Sequence, residues 1–189
     1  KKMKKIIFIL LLSILSWNGS HALITVDITR GNLDPLPIAV SPLHVDSKSE
    51  KIPSFETSTL GEEISKIIEK NFKSTGLFNP LKKASFVQKP DIAHLKPRFE
   101  DWRLIKAQAL VTGKLLIKNN KLKVEFRLWD LTAAKEMVAL SFTTTPNNWR
   151  RVAHIISDKI YERLTGESGY FDTRIAYVSE TGPKNQRVK

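Results

Sequence analysis

Apolar positions along the chain follow two rhythms. Ile24, Val26 and Ile28 alternate with Thr25, Asp27 and Thr29, which is strand periodicity. A break rich in Gly, Asn, Asp and Pro follows at 30–35. Residues 37–41 form a second short apolar strand candidate between prolines, and 44–55 is polar and reads as a loop. The rhythm then changes. Leu60, Ile64, Ile67, Ile68 and Phe72 recur at intervals of three and four, so a helix carries them on one face. Thr59 and Glu62 have the spacing of a capping box at its start, and Gly76 suits a left-handed stop. Residues 77–81 read as a short extended piece. Residues 82–98 read as irregular, with Pro90 and Pro97, and Trp102 with 104–107 as a short helix or turn.

Strand periodicity returns in the second half. Residues 109–117 are one strand candidate, with Gly113 inside it. Asn119 and Asn120 suit a two-residue turn, because Asn tolerates positive φ. Leu122, Val124, Phe126 and Leu128 then alternate strictly with Lys123, Glu125, Arg127 and Trp129. A turn at 132–134 leads to a third strand with Val138, Leu140 and Phe142 on one face. These three strands predict an antiparallel meander with one buried face and one wetter face. Trp129 falls on the outer face, so something is expected to cover that face. A second helix follows, capped by Asn147 or Asn148 and stopped by Gly166. Its apolar stripe is Trp149, Val152, Ile155, Ile156, Ile160 and Leu164. Two helices with one apolar face each, and a sheet with one to match, predict an α/β (α+β) two-layer sandwich. The sheet is mixed, and both main helices lie on one face.

The amino terminus changes the picture of where this domain works. Four lysines (Lys1, Lys2, Lys4, Lys5) precede an apolar run at 6–15, and Ser20, His21 and Ala22 close it. That order marks a secretory signal peptide cleaved after Ala22. An uncleaved anchor is disfavoured, because the run falls short of the ~18–20 residues that span a bilayer. Two lysines precede Met3, so position 1 is not expected to be the natural start. No transmembrane segment is expected after cleavage. The absence of cysteine excludes disulfides, thiolate metal sites, a cysteine nucleophile and a lipidated cysteine. The formal charge of +12 falls to +8 once the four leader lysines are removed. The remainder is scattered, which favours solubility and weak attraction to acidic surfaces.

Candidate chemistry is sparse. His44, His94 and His154 are isolated and lack metal-ligand spacing. His44 and His94 read as loop residues and His154 as a structural residue of the second helix. The stretch 166–170 lacks the final glycine of a nucleophile elbow. Neither a phosphate-cradling loop nor a dinucleotide fingerprint occurs. Asp27 and Asp34 read as solvated acids. Trp102, Trp129 and Trp149 read as packing residues. The expectation is a non-enzyme without cofactor or metal. No nucleic-acid partner is expected. The basic charge still leaves an alternative reading, a domain that binds an anionic polymer such as nucleic acid or lipopolysaccharide.

Several segments also match a known pattern. Gly76-Leu77-Phe78-Asn79-Pro80-Leu81 follows the first helix, and Ala107-Gln108-Ala109-Leu110-Val111-Thr112-Gly113 follows Trp102. Phe126-Arg127-Leu128-Trp129-Asp130 lies in the meander. Trp149-Arg150-Arg151-Val152-Ala153-His154 continues into 158–166, and then into Phe171-Asp172-Thr173-Arg174-Ile175-Ala176-Tyr177-Val178. Together these resemble the amino-terminal domain of the TolB family, periplasmic proteins of the Gram-negative Tol–Pal system. The resemblance implies an α/β domain at 23–168 followed by a six-bladed β-propeller. Residues 169–189 would be the start of that propeller, and without its remainder they are expected to be disordered. A truncated gene product, a split reading frame or a deliberate cut would each give such an ending.

The resemblance also implies partners. The family's propeller binds the lipoprotein Pal, a contact expected of this chain only if a propeller is supplied. The residues just after signal cleavage engage TolA, the inner-membrane protein that transmits force from the proton gradient. Here these are Leu23, Ile24, Thr25, Val26, Asp27, Ile28 and Thr29. Their alternation suits a segment that adds as an extra strand to a partner's sheet. It equally suits an edge strand of this domain, or one segment that switches between docked and free states. The function implied is a periplasmic adaptor that links TolA to Pal, for outer-membrane integrity and constriction at division.

Overall fold

The computed structural model describes residues 23–27, 34–53 and 55–173. The expected signal peptide, Ile28 and Thr29, the break at 30–33 and residues 174–189 of the expected propeller start lie outside the described residues.

Among the described residues six strands form one mixed sheet. They are β1 (Leu36–Val40), β2 (His44–Val45), β3 (Phe78–Pro80), β4 (Ala109–Lys118), β5 (Lys121–Asp130) and β6 (Lys135–Thr144). The order is β3-β1-β4-β5-β6, with β2 also paired to β4. β1 runs parallel to β3 and β4, and β4-β5-β6 is the antiparallel meander. The first long helix, α1 (Leu60–Thr75), links β1 to the parallel β3. Two short helices, α2 (Pro90–Ala93) and α3 (Phe99–Leu104), precede β4. The last helix is α4 (Trp149–Thr165).

The predicted sandwich forms from the predicted residues. Ile38, Val40, Val111, Leu115, Val124, Phe126 and Leu128 lie in one core with Ile64, Ile68 and Phe72 of α1 and Val152, Ile156 and Ile160 of α4. Both helices stop at glycines in the left-handed region, Gly76 at φ 71° and Gly166 at φ 80°. Asn119 and Asn120 turn β4 into β5 with φ 51° and 55°. A buried polar bridge joins the helices. Asn71 Nδ2 donates to Ser157 Oγ at 2.9 Å and stands 3.0 Å from His154 Nδ1.

The irregular stretch before β4 turns out to be the cover for the sheet's other face. Ala93, Trp102 and Ala107 pack with Ala39, Leu110, Trp129 and Leu131 in a second core, against which Phe86, Phe99 and Ile105 rest. Trp129 is therefore buried, and its indole N–H donates to Thr112 Oγ1 at 2.9 Å. Gln88 organises the cover, since its side-chain oxygen accepts from Arg98 N–H and from the Trp102 indole at 2.9 and 3.0 Å.

Three local expectations differ. Neither helix has the expected side-chain cap. A 3-10 turn, Thr57–Thr59, precedes α1, and Glu56 accepts from Ser58 N–H and Oγ–H. Thr59 instead donates to the Glu56 carbonyl at 3.1 Å. A second 3-10 turn, Pro146–Asn148, precedes α4, and the Asn148 amide donates to the Thr144 and Thr145 hydroxyls. The polar stretch read as a loop contributes β2, and beyond it Asp46 and Glu50 N–H donate to Leu115 and Ile117 carbonyls of β4. Backbone pairing of that kind needs no apolar rhythm. Finally, His44 and His94 are not isolated, because their rings stack 4.5 Å apart at 4°.

Gly61 lies where α1 meets the backbone of Leu43, whose N–H donates to the Gly61 carbonyl at 3.1 Å. A Cβ at 61 would collide with the Leu43 carbonyl, a backbone atom that cannot turn aside. Gly61→Ala is therefore expected to destabilise the domain by about 1–3 kcal/mol or more. Urea unfolding measures this, and an unchanged midpoint would contradict the contact.

Candidate partner-docking site

The segment singled out by its alternation lies against the domain without joining the sheet. Residues 23–27 have no strand pairing, yet their periodicity survives: Ile24 and Val26 are half-buried against the main core, while Leu23, Thr25 and Asp27 are exposed. Ile28 and Thr29 lie outside the described residues. Ile24 and Val26 are each held by a backbone hydrogen bond. Ile24 N–H donates to Asp130 Oδ2 at 2.9 Å, and Val26 N–H donates to the Leu164 carbonyl at 2.7 Å.

Both acceptors are products of local chain chemistry. Asp130 ends β5 with its side chain in the interior, and the residue is 0% exposed. Its Oδ1 accepts from Thr132 and Ala133 N–H at 2.9 and 2.8 Å, which holds the β5–β6 turn. Oδ2 is left for Ile24. A buried carboxylate is costly unless hydrogen-bonded, and three backbone N–H groups meet that need here. Leu164 lies in the last turn of α4, where helix carbonyls lack intrahelical donors, and Val26 supplies one. The segment thus satisfies one orphan group on the sheet and one on the helix.

A groove of about 480 Å³ opens beside it, lined by Thr25, Val138, Leu140, Lys159, Arg163 and Gly166, among others. Leu140 is 40% exposed on the edge strand β6, and supplies apolar surface there. On the rim, a hydrogen bond from Lys159 to Glu162 at 2.9 Å raises the lysine's pKa above its ordinary value. Residues 169–173 return along the other end of α4. Phe171 and Asp172 N–H donate to the Asp158 carboxylate at 2.7 and 3.1 Å, and Arg151 pairs with Asp172 at 3.1 Å.

The sequence reading named the docked residues but not their anchors. Asp130 before a turn carries a local signal, since Asp commonly bonds N–H groups two or three residues on. Its second oxygen reaches Ile24 across 106 residues, for which no local pattern exists. Among the described residues no group of three His, Asp or Glu is arranged to hold a metal ion. No helix there is long and apolar enough to cross a membrane.

The Asp130→Asn variant isolates the clasp. An amide oxygen can still serve Thr132 and Ala133, while its NH2 cannot accept from Ile24. Loss of one hydrogen bond to a charged acceptor is expected to lower stability by about 1.5–3 kcal/mol. It should also speed thermolysin cleavage around residues 23–26. Cleavage at the unaltered rate would contradict the role of Asp130.

Comparison with known proteins places the chain in a family setting. A family model described as the TolB amino-terminal domain matches residues 24–137. The Tol-Pal system protein TolB of Pelagibacter ubique is 65% identical over 172 residues, covering 90% of this chain and 39% of that protein. The chain thus spans about two fifths of that relative's length. The crystal structure of TolB from Acinetobacter baumannii matches with a TM-score of 0.59 at 20% identity, over 74% of this chain and 30% of that one. It supports the fold. PelC from Paraburkholderia phytofirmans matches with a TM-score of 0.44 at 15% identity, over 69% of this chain and 89% of that one.

Proposed function

This chain belongs to the TolB family, and on that premise we propose that it is the amino-terminal part of a non-enzymatic periplasmic adaptor of the Tol–Pal cell-envelope system. In this reading residues 23–29 are exchanged between their own domain and the sheet of a TolA-type inner-membrane protein. Contact with a Pal-type lipoprotein belongs to a propeller that residues 169–189 would begin. The adaptor then couples inner-membrane energy to the outer membrane during envelope maintenance and constriction.

The observation that carries the proposal is the manner of docking. Ile24 and Val26 rest half-buried on the core, yet their N–H groups bond a carboxylate and a helix end rather than a neighbouring strand. Releasing them breaks no sheet ladder. The freed segment then offers backbone groups for strand addition and alternate apolar side chains for specificity. The domain and the partner would compete for the same residues, so the docked population lowers the apparent affinity for the partner.

Titration of the full chain with the periplasmic carboxy-terminal domain of its cognate TolA tests this. Val26→Asp removes an apolar side chain from the strand and is expected to weaken binding at least about tenfold. Asp130→Asn leaves residues 23–29 unaltered and favours the free state, so it is expected to strengthen binding several-fold. Equal affinity of Val26→Asp and the parent chain would refute the assignment.

A further inference from the structure

We propose that the back-face cover, residues 82–106, is a docking surface for an anionic lipid bilayer. Seven large hydrophobic residues are exposed among the described residues, and four of them lie in this one segment. They are Val87 at 63%, Ile92 at 51%, Leu95 at 70% and Leu104 at 80%. Isolated exposed apolar residues are ordinary, whereas a concentration of them marks an interaction surface. Their direction follows from their neighbours. Phe86, Ala93, Phe99, Trp102 and Ile105 of the same segment pack inward on the second core. The four exposed residues are the ones left out of that core.

The charge of the segment selects the occupant. Seven lysines and arginines stand against three acids, a surplus of four, which is half of the +8 that remains without the leader lysines. Two acids are already neutralised within the segment. Arg98 pairs with Asp101 at 2.6 Å and Arg103 with Glu100 at 2.8 Å. Lys82, Lys89, Lys96 and Lys106 are exposed and have no ion-pair partner among the described residues, against the single acid Asp91. Apolar side chains among unpaired lysines match the two layers of a membrane interface. The chains enter the acyl boundary while the ammonium groups remain with lipid phosphates. Soluble anionic polymers would use the lysines but leave the leucines in water.

The support is also tied down by side-chain contacts. Gln88 ties the segment together through Arg98 and Trp102, and the Phe86 and Trp102 rings meet at 5.0 Å. Preorganised tips lose little conformational freedom on insertion. This surface shares no residue with the segment 23–29, so the two proposals stand or fall separately.

Because the chain has no cysteine, a single Leu104→Cys change allows an environment-sensitive fluorophore to be placed on this surface. Ser168→Cys, at an exposed position after α4, is the control. On phosphatidylglycerol-containing vesicles the label at 104 is expected to shift to the blue and brighten, and the label at 168 to stay unchanged. Phosphatidylcholine vesicles should give little response, and added salt should weaken the response to anionic vesicles. Adding Lys96→Glu should weaken partitioning by about fivefold or more, and Leu95→Asp by about tenfold or more. A label at 104 that stays in water while the chain sediments with vesicles would show tethering elsewhere, as by the basic leader, and would overturn the proposal. An equal response on neutral vesicles would also overturn it. So would indifference to both substitutions, or burial of the label by a soluble partner protein but not by vesicles.

Discussion

The burial of β4 on both faces is the constraint from which the architecture follows. From Ala109 to Gly113 every residue is buried, whereas from Lys114 to Lys118 the strand regains its alternation. β5 mirrors this, alternating at its start and fully buried from Leu128 to Asp130. One end of the central sheet therefore needs a cover on each side. The two long helices cover the front. The back is covered by the proline-broken stretch before β4, locked down by Gln88, Trp102 and Trp129. A strand flanked by covers leaves few places for polar groups, so Asp130 at its neighbour's end must be satisfied by backbone N–H groups.

That requirement links fold to function. Asp130 holds its turn with one oxygen and the amino-terminal segment with the other, while the end of α4 supplies the second anchor. The segment is integrated enough to half-bury Ile24 and Val26 against the main core. Yet its described residues, 23–27, belong to neither a ladder nor a helix, and the proposed exchange is a local opening that leaves what they rest on folded. The adaptor reading rests on this separability, and the lipid-surface proposal rests on the opposite property of the back cover, its fixed presentation of apolar tips.

Legibility in the sequence followed the range of the physics involved. The meander, both long helices and their glycine stops were legible because periodicity and left-handed stops act over a few residues. Trp129 was legible as an anomaly, an indole on the wet face, and its cover was sitting in the stretch read as irregular. That cover is built from single turns and side-chain bonds such as Gln88 to Trp102, which have no repeat to detect. The helix starts were misread because 3-10 turns already engage the residues that capping rules would assign. The stack of His44 on His94, and the reach of Asp130 to Ile24, depend on tertiary closure between residues far apart in the chain.

The most direct test of the central claim is native-state amide exchange of the full chain without partner, comparing Ile24 and Val26 with Val124 in β5. The account predicts that Ile24 and Val26 exchange together through a local opening, orders of magnitude faster than Val124, and independently of denaturant at low concentration. Exchange of all three at the rate of global unfolding would show that the segment is an inseparable part of the core, and would contradict the proposed strand exchange.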